Sequence, residues 1–242
     1  MTIQQLNDET KRILKENTDS VFANINQTSL RSGKDKSVTL LAATKTVPAK
    51  VINYVTQELG VKNIGENRVQ ELLEKYDALN LDGVKLHFIG KLQTNKVKYI
   101  IDKVDMIHSL DSIKLAKEID SRAKKIGKIM DVLVEVNSGR EENKSGIFPE
   151  GVSAFLAELT QFTNIRVKGL MTIAPVCVEK EQYRKYFRET YSIFIDNSQN
   201  KLHNIDMDTL SMGMTDSYVV AIEEGSDIVR IGSAIFGSRY TL

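Results

Sequence analysis

Lys45 closes the apolar run Val38–Thr44, and Thr46, Val47 and Pro48 follow it. A strand that delivers a lysine to its C-terminal end, just before a helix, can hold the amine in a protected pocket. Withdrawn from water, such an amine loses part of its preference for the charged form, and the neutral form condenses with an aldehyde to a Schiff base. A cofactor-free Schiff-base aldolase and an aldehyde-bearing cofactor both fit this residue taken alone.

The tail narrows the choice. Arg230 interrupts Ile228, Val229 and Ile231 inside a strand that should be largely buried. A charge there is costly unless it is paired, so Arg230 is read either as one half of an ion pair or as a ligand contact. An arginine stays charged, and beside a ring nitrogen it keeps that nitrogen unprotonated. Gly232 and Ser233 then lead into a short helix. Backbone N–H groups, a glycine that permits close approach and a serine hydroxyl suit a phosphate. Leu210–Asp216, with Ser211, Met212 and Gly213, supplies a second such loop. An amine, a phosphate cradle and an arginine facing a ring together suit pyridoxal 5′-phosphate.

Two periodicities alternate through the 242 residues. Short β-branched and aliphatic runs fall at 38–44, 61–64, 85–89, 105–108, 131–136, 166–170, 207–210 and 227–231. Amphipathic helical patterns fall at 48–59, 66–78, 112–127, 150–161 and 180–197. Strand–helix alternation implies a parallel sheet, and eight strands fit a closed α/β structure, the (β/α)8 TIM barrel. The open doubly wound sheet is disfavoured because no G-x-G-x-x-G follows the first strand. Residues 1–33 read as an extra N-terminal helix, and with no Pro/Gly/Ser-rich linker the chain reads as one domain, 1–242. Barrels carry their chemistry at the C-terminal ends of the strands, with phosphate commonly after strands seven and eight. Lys45 and the two glycine loops fall at those places. Asp111–Ser112 reads as a helix start.

The segments AATKTVP, NIGENRVQE, HFIGKLQTNK, VEVNSGREENKSGI, GLMTIAP and LSMGMTDSYVVAIEEGSDIVRIGSAIFG occur in order within a stretch from about residue 38 to 239. In them the chain resembles the family of pyridoxal phosphate homeostasis proteins. The resemblance implies a barrel of the alanine racemase N-terminal type with the cofactor as a Schiff base on Lys45. It implies that Ser211, Gly232 and Ser233 bind phosphate and that Arg230 faces the pyridine nitrogen. Asn67 and His87 would lie near the cofactor, with Met212 and Ile231 giving backbone or packing contacts.

The other reactive side chains have plainer readings. His87, inside an apolar strand, reads more readily as a satisfied barrel-interior histidine than as an acid or base. Lys144 reads as a surface or phosphate-side amine, and Cys177, the one cysteine, as a packed or surface thiol. His108 and His203 lack metal-ligand spacing and there is no Cys-x-x-Cys, so no metal site is expected. Lys and Arg total 33 against 32 Asp and Glu, which gives no global charge to draw nucleic acid or an anionic membrane. With no apolar signal core and no apolar run near the ~20 residues of a membrane helix, a soluble cytoplasmic protein is expected.

The function expected is therefore a pyridoxal phosphate-binding protein acting in intracellular cofactor homeostasis, without turnover of its own. Apoenzymes that use the cofactor are the expected recipients, and a monomer is the expected state. The alternative is an amino-acid racemase or decarboxylase. The racemase needs a group on the opposite face of the cofactor, and no segment after the last barrel element supplies one.

Overall fold

Eight strands pair in chain order, each parallel to the next, and the eighth pairs back to the first to close a barrel. The strands are β1 (Thr39–Ala43), β2 (Asn63–Glu66), β3 (Lys85–Phe88), β4 (Met106–Leu110), β5 (Met130–Val136), β6 (Ile165–Thr172), β7 (Ile205–Ser211) and β8 (Ile228–Ile231). The computed structural model describes residues 6–33, 37–199 and 202–237. Residues 1–5 of the expected N-terminal extension lie outside them.

The side-chain alternation of the strands divides the interior in two. Ile64, Leu86, Ile107, Val132, Val134, Val167, Leu210, Val229 and Ile231 belong to the large apolar layer between strands and helices. Leu41, Ile89 and Ile228, with Ala43, form a separate small cluster inside the barrel. Leu41 pairs with Arg230 across the β1–β8 closure, and Gly65 pairs with His87 across β2–β3. The lumen therefore mixes a small apolar plug with polar groups. At Gly169 (φ +149°) a Cβ would sit 1.8 Å from the Thr209 carbonyl oxygen, so the β6–β7 contact requires glycine.

The helices are α1 (Asp8–Arg31), α2 (Ala49–Gln57), α3 (Val69–Tyr76), α4 (Ile113–Lys125), α5 (Val152–Leu159), α6 (Arg184–Ser198), α7 (Tyr218–Glu223) and α8 (Ser233–Phe236). The Asn7 side chain caps α1 through the Thr10 amide, and that helix buries Leu14, Val21 and Ile25. It packs on α7 and α8, and Asn17 Nδ2 donates to the Ile235 carbonyl at 3.1 Å. Ser112 caps α4 as its position predicts. Pro48 stands just outside α2 at the N-cap, with extended ψ of 144°. A 3-10 turn over Thr94–Tyr99 occupies the crossover between β3 and β4, and α7 was not visible in the helical patterns. Among the described residues, no helix is long and apolar enough to cross a membrane.

Candidate functional site

Lys45 lies in the turn beyond β1, and its side chain is exposed. This departs from the expected protected pocket: a residue past the strand end stands above the barrel mouth, where the protein alone does not strip water from it. Among the described residues its amine has no hydrogen bond or ion pair. The next residue, Thr46, has φ of 62°, and a left-handed β-branched residue carries strain on the order of 1–3 kcal/mol.

Arg230 on β8 is 4% exposed and is bound on three sides. Nη1 donates to the Ser211 hydroxyl at 2.7 Å and to the Ser211 carbonyl at 2.9 Å, and Nη2 donates to the Thr172 carbonyl at 2.8 Å. Burial lowers its pKa to about 10, against the pull of the Glu135 carboxylate, and it remains a cation at neutral pH. Its hydrogen-bond partners are two carbonyls and a hydroxyl, none of them a carboxylate. The β7 end is held in turn by the Arg230 amide, which donates to the Gly213 carbonyl at 3.0 Å. Ser211 is fully buried, with its hydroxyl turned to Arg230 and not toward the β8 loop. Met212 is likewise fully buried, and its amide donates to the Ile228 carbonyl and the Ser226 hydroxyl, both at 3.1 Å. Ile231 is buried in the outer layer.

The loops after β7 and β8 do meet. The Ser233 hydroxyl donates to Thr215 Oγ1 at 3.1 Å, and Gly232 precedes it at the start of α8. Sequence reasoning named the loop containing Thr215 but not that residue. Asn67, directly after β2, is half-buried, and its Oδ1 is a buried acceptor without a partner among the described residues. Gly90 sits against it: a Cβ at that position would lie 2.1 Å from the Asn67 carbonyl oxygen.

His87 is placed elsewhere. It lines a cavity of 420 Å³ at the N-terminal ends of the strands, with Thr39, Asn63, Lys85, Asp105 and Asp131. The physical reason is register: Ile89, two residues nearer the C-terminal end on the same inward face, belongs to the apolar plug that stands between them. His87 thus opens toward the N-terminal ends of the strands, the opposite end from Lys45. Its Nε2 faces Asn63 Oδ1 at 3.2 Å and its Nδ1 faces His108 Nε2 at 2.9 Å. With Asn63 Oδ1 accepting, each histidine carries its hydrogen on Nε2, and His108 Nδ1 is left as a buried acceptor without a partner among the described residues. Burial pushes His87 down to about 4 and His108 well below its usual value, so both are neutral near pH 7.

Glu135 on β5 was missed. It is 7% exposed, and burial together with the neighbouring Asp111 pushes its carboxyl up to about 7. Asp111 is itself raised, by burial. The signal was present: a carboxylate inside the apolar strand MDVLVEV is as anomalous as Arg230 in its own strand. Lys144 is an exposed partner of Glu141 at 2.5 Å, which fits a surface role. Cys177 is half-buried and donates to the Pro175 carbonyl. Among the described residues, no group of three or more His, Cys, Asp or Glu is placed to hold a metal ion.

This is a parallel barrel with a lysine past β1, an arginine within β8 and glycine–serine loops after β7 and β8. The model of the alanine racemase N-terminal domain matches residues 17–240. The chain belongs to that family. One relative, from Aquifex aeolicus, is 46% identical over 220 residues, 90% of this chain and 95% of its own, and is named pyridoxal phosphate homeostasis protein. Among solved structures, a protein of Bifidobacterium adolescentis aligns with TM-score 0.90 at 34% identity, covering 96% of this chain and 97% of that one. The structure of PipY of Synechococcus elongatus with PLP bound aligns with TM-score 0.74 at 31% identity, covering 88% of this chain and 99% of that one. The barrel mouth of this chain is polar: Arg230, Glu135, Thr172, Ser211 and Asn67 all lie at or near the C-terminal strand ends.

Proposed function

We propose that the protein binds pyridoxal 5′-phosphate covalently through Lys45 and serves intracellular cofactor homeostasis without turnover of its own. The observation that carries this is the Lys45 amine, unpartnered among the described residues at the end of β1. The buried, unpartnered Oδ1 of Asn67 fits a polar ligand in the same mouth. When bound, the cofactor supplies an aldehyde that a lysine amine can capture. The Ser233 and Thr215 hydroxyls, with Gly232, would hold its phosphate. Ser211 would act through Arg230, by fixing the guanidinium at 2.7 Å. The cation of Arg230 disfavours a proton on any ring nitrogen beside it. The role in homeostasis is supported by the name of a relative 46% identical to this chain. Apoenzymes that use the same cofactor would be its recipients.

Borohydride treatment of protein incubated with the cofactor should fix one adduct, located on Lys45 by peptide mass. Lys45→Ala protein that gained the same adduct would sink the assignment. A racemase or decarboxylase is the second reading, and one observation favours it: a carboxyl titrating near 7, Glu135, suits general acid–base work. Loaded protein incubated with amino acids in deuterated water should exchange their α-protons no faster than free cofactor does. Exchange at enzymatic turnover would select the second reading.

A further inference from the structure

The backbone on both sides of Lys45 is fixed from outside the barrel by three acidic and basic side chains that the cofactor site does not use. Lys75 on α3 donates to the Thr44 carbonyl at 2.9 Å, to Glu66 Oε1 at 3.0 Å and to Glu71 Oε1 at 2.6 Å. An ammonium has three hydrogens, and all are spent here. Glu66, fully buried at the end of β2, also accepts from the Thr44 hydroxyl at 2.6 Å. Glu71 also accepts from the Thr46 amide. The residue before Lys45 is thus held by its carbonyl and hydroxyl, and the residue after it by its N–H.

Such a device is costly as mere scaffolding. Burying Glu66 and Lys75 pays a desolvation penalty, and burial raises the Glu66 carboxyl while Thr44 and Lys75 pull it back. Thr46 sits at φ of 62°, where glycine would be at ease and a β-branched side chain is not. A strained turn persists only where its surroundings over-determine it. The strain, the charged clamp that sustains it and the unpartnered amine all coincide within three consecutive residues.

The geometry points to Glu66, Lys75 and Glu71 as positioning residues that preset the Lys45 turn for capture of its aldehyde ligand. This rests on the reading of Lys45 as the cofactor's anchor. The clamp acts through the backbone of Thr44 and Thr46 and touches no ligand. Without it, Thr46 relaxes toward an ordinary backbone conformation, and ligand capture must restore the strained one.

The test uses the full chain, pyridoxal phosphate as probe, and two readouts. One is cofactor affinity, followed by absorbance. The other is hydrogen exchange of the Thr46 amide in ligand-free protein. Glu71→Ala, which removes the acceptor of the Thr46 amide, should speed Thr46 exchange and weaken cofactor affinity about tenfold. Glu71→Gln keeps an oxygen acceptor and should remain close to wild type. Adding Thr46→Gly to Glu71→Ala should recover most of the lost affinity without recovering the melting temperature, because glycine occupies the left-handed region freely. Unchanged affinity in Glu71→Ala would overturn the proposal, as would a double variant no tighter than the single one. Wild-type protein with no adduct on Lys45 would instead sink the cofactor reading, while the exchange data would still report on the clamp.

Discussion

Arg230 donates from Nη2 to the carbonyl of Thr172 at 2.8 Å, so one side chain of β8 reaches past β7 to the end of β6. With its two bonds to Ser211, the guanidinium ties three consecutive strand ends together. The planar fork makes this possible, since it offers donors in fixed directions to acceptors on different strands.

Arg230→Lys should therefore not behave as a conservative change. An ammonium on a flexible stem cannot serve both strand ends in the same geometry. Hydrogen bonds to charged groups contribute about 1.5–3 kcal/mol each, so a loss of about 3 kcal/mol is expected in denaturant unfolding. Ser211→Ala removes one acceptor of the three and should cost about half as much. Equal stability of the lysine variant and wild type would show that the strand-tying bonds carry no weight.

Glu135 makes the stability of the barrel fall as pH rises. An unfolded glutamate ionises near 4.5, whereas burial and Asp111 push the folded group up to about 7. Between those values the folded chain keeps a proton that the unfolded chain has already released. The unfolded state is therefore favoured progressively through this window, by about 3 kcal/mol once pH exceeds 7. Glu135→Gln carries no such charge. It should match wild type near pH 4.5 and exceed it at pH 8, seen as a higher melting temperature. A variant less stable than wild type at pH 8 would contradict this sign.

Much of this was readable from residue types. The eight strands and the positions of Lys45 and Arg230 follow from period and from anomalous charges in apolar runs. The contacts were not readable, because they depend on register. Whether a lumen residue belongs to the upper or lower mouth is decided by one step of two residues along a strand, as between His87 and Ile89. Ser211 is a strand-end serine that looks like a phosphate ligand, yet the fold gives its hydroxyl to Arg230. The clamp on Lys45 joins Glu66 and Glu71, both inside the segment NIGENRVQE, to Lys75 on α3, and the letters of that segment do not reveal what the two carboxyls hold. Lys75 and Glu71 look like an ordinary i,i+4 pair on a helix surface, and only the turn packed beneath them reveals what they hold.

The glycines near the mouth separate close approach from mere turn preference. A Cβ at Gly90 would lie 2.1 Å from the Asn67 carbonyl oxygen, and backbone on both sides leaves no flexible side chain to yield. At Gly232 the nearest atom would be the Ala43 carbonyl oxygen at 3.2 Å, a gap that a shift of a few tenths of an ångström relieves. Overpacking costs about 1–3 kcal/mol and occasionally more, so Gly90→Ala should sit at the upper end and Gly232→Ala at the lower. The functional readout should follow the same order. Gly90→Ala pushes the β2 and β3 loops apart and moves the Asn67 acceptor, so its cofactor affinity should fall further than that of Gly232→Ala, although Gly232 adjoins Ser233. If instead Gly232→Ala lost cofactor while Gly90→Ala bound normally, the phosphate loop would be the tighter constraint, and Asn67 would have no part in the site.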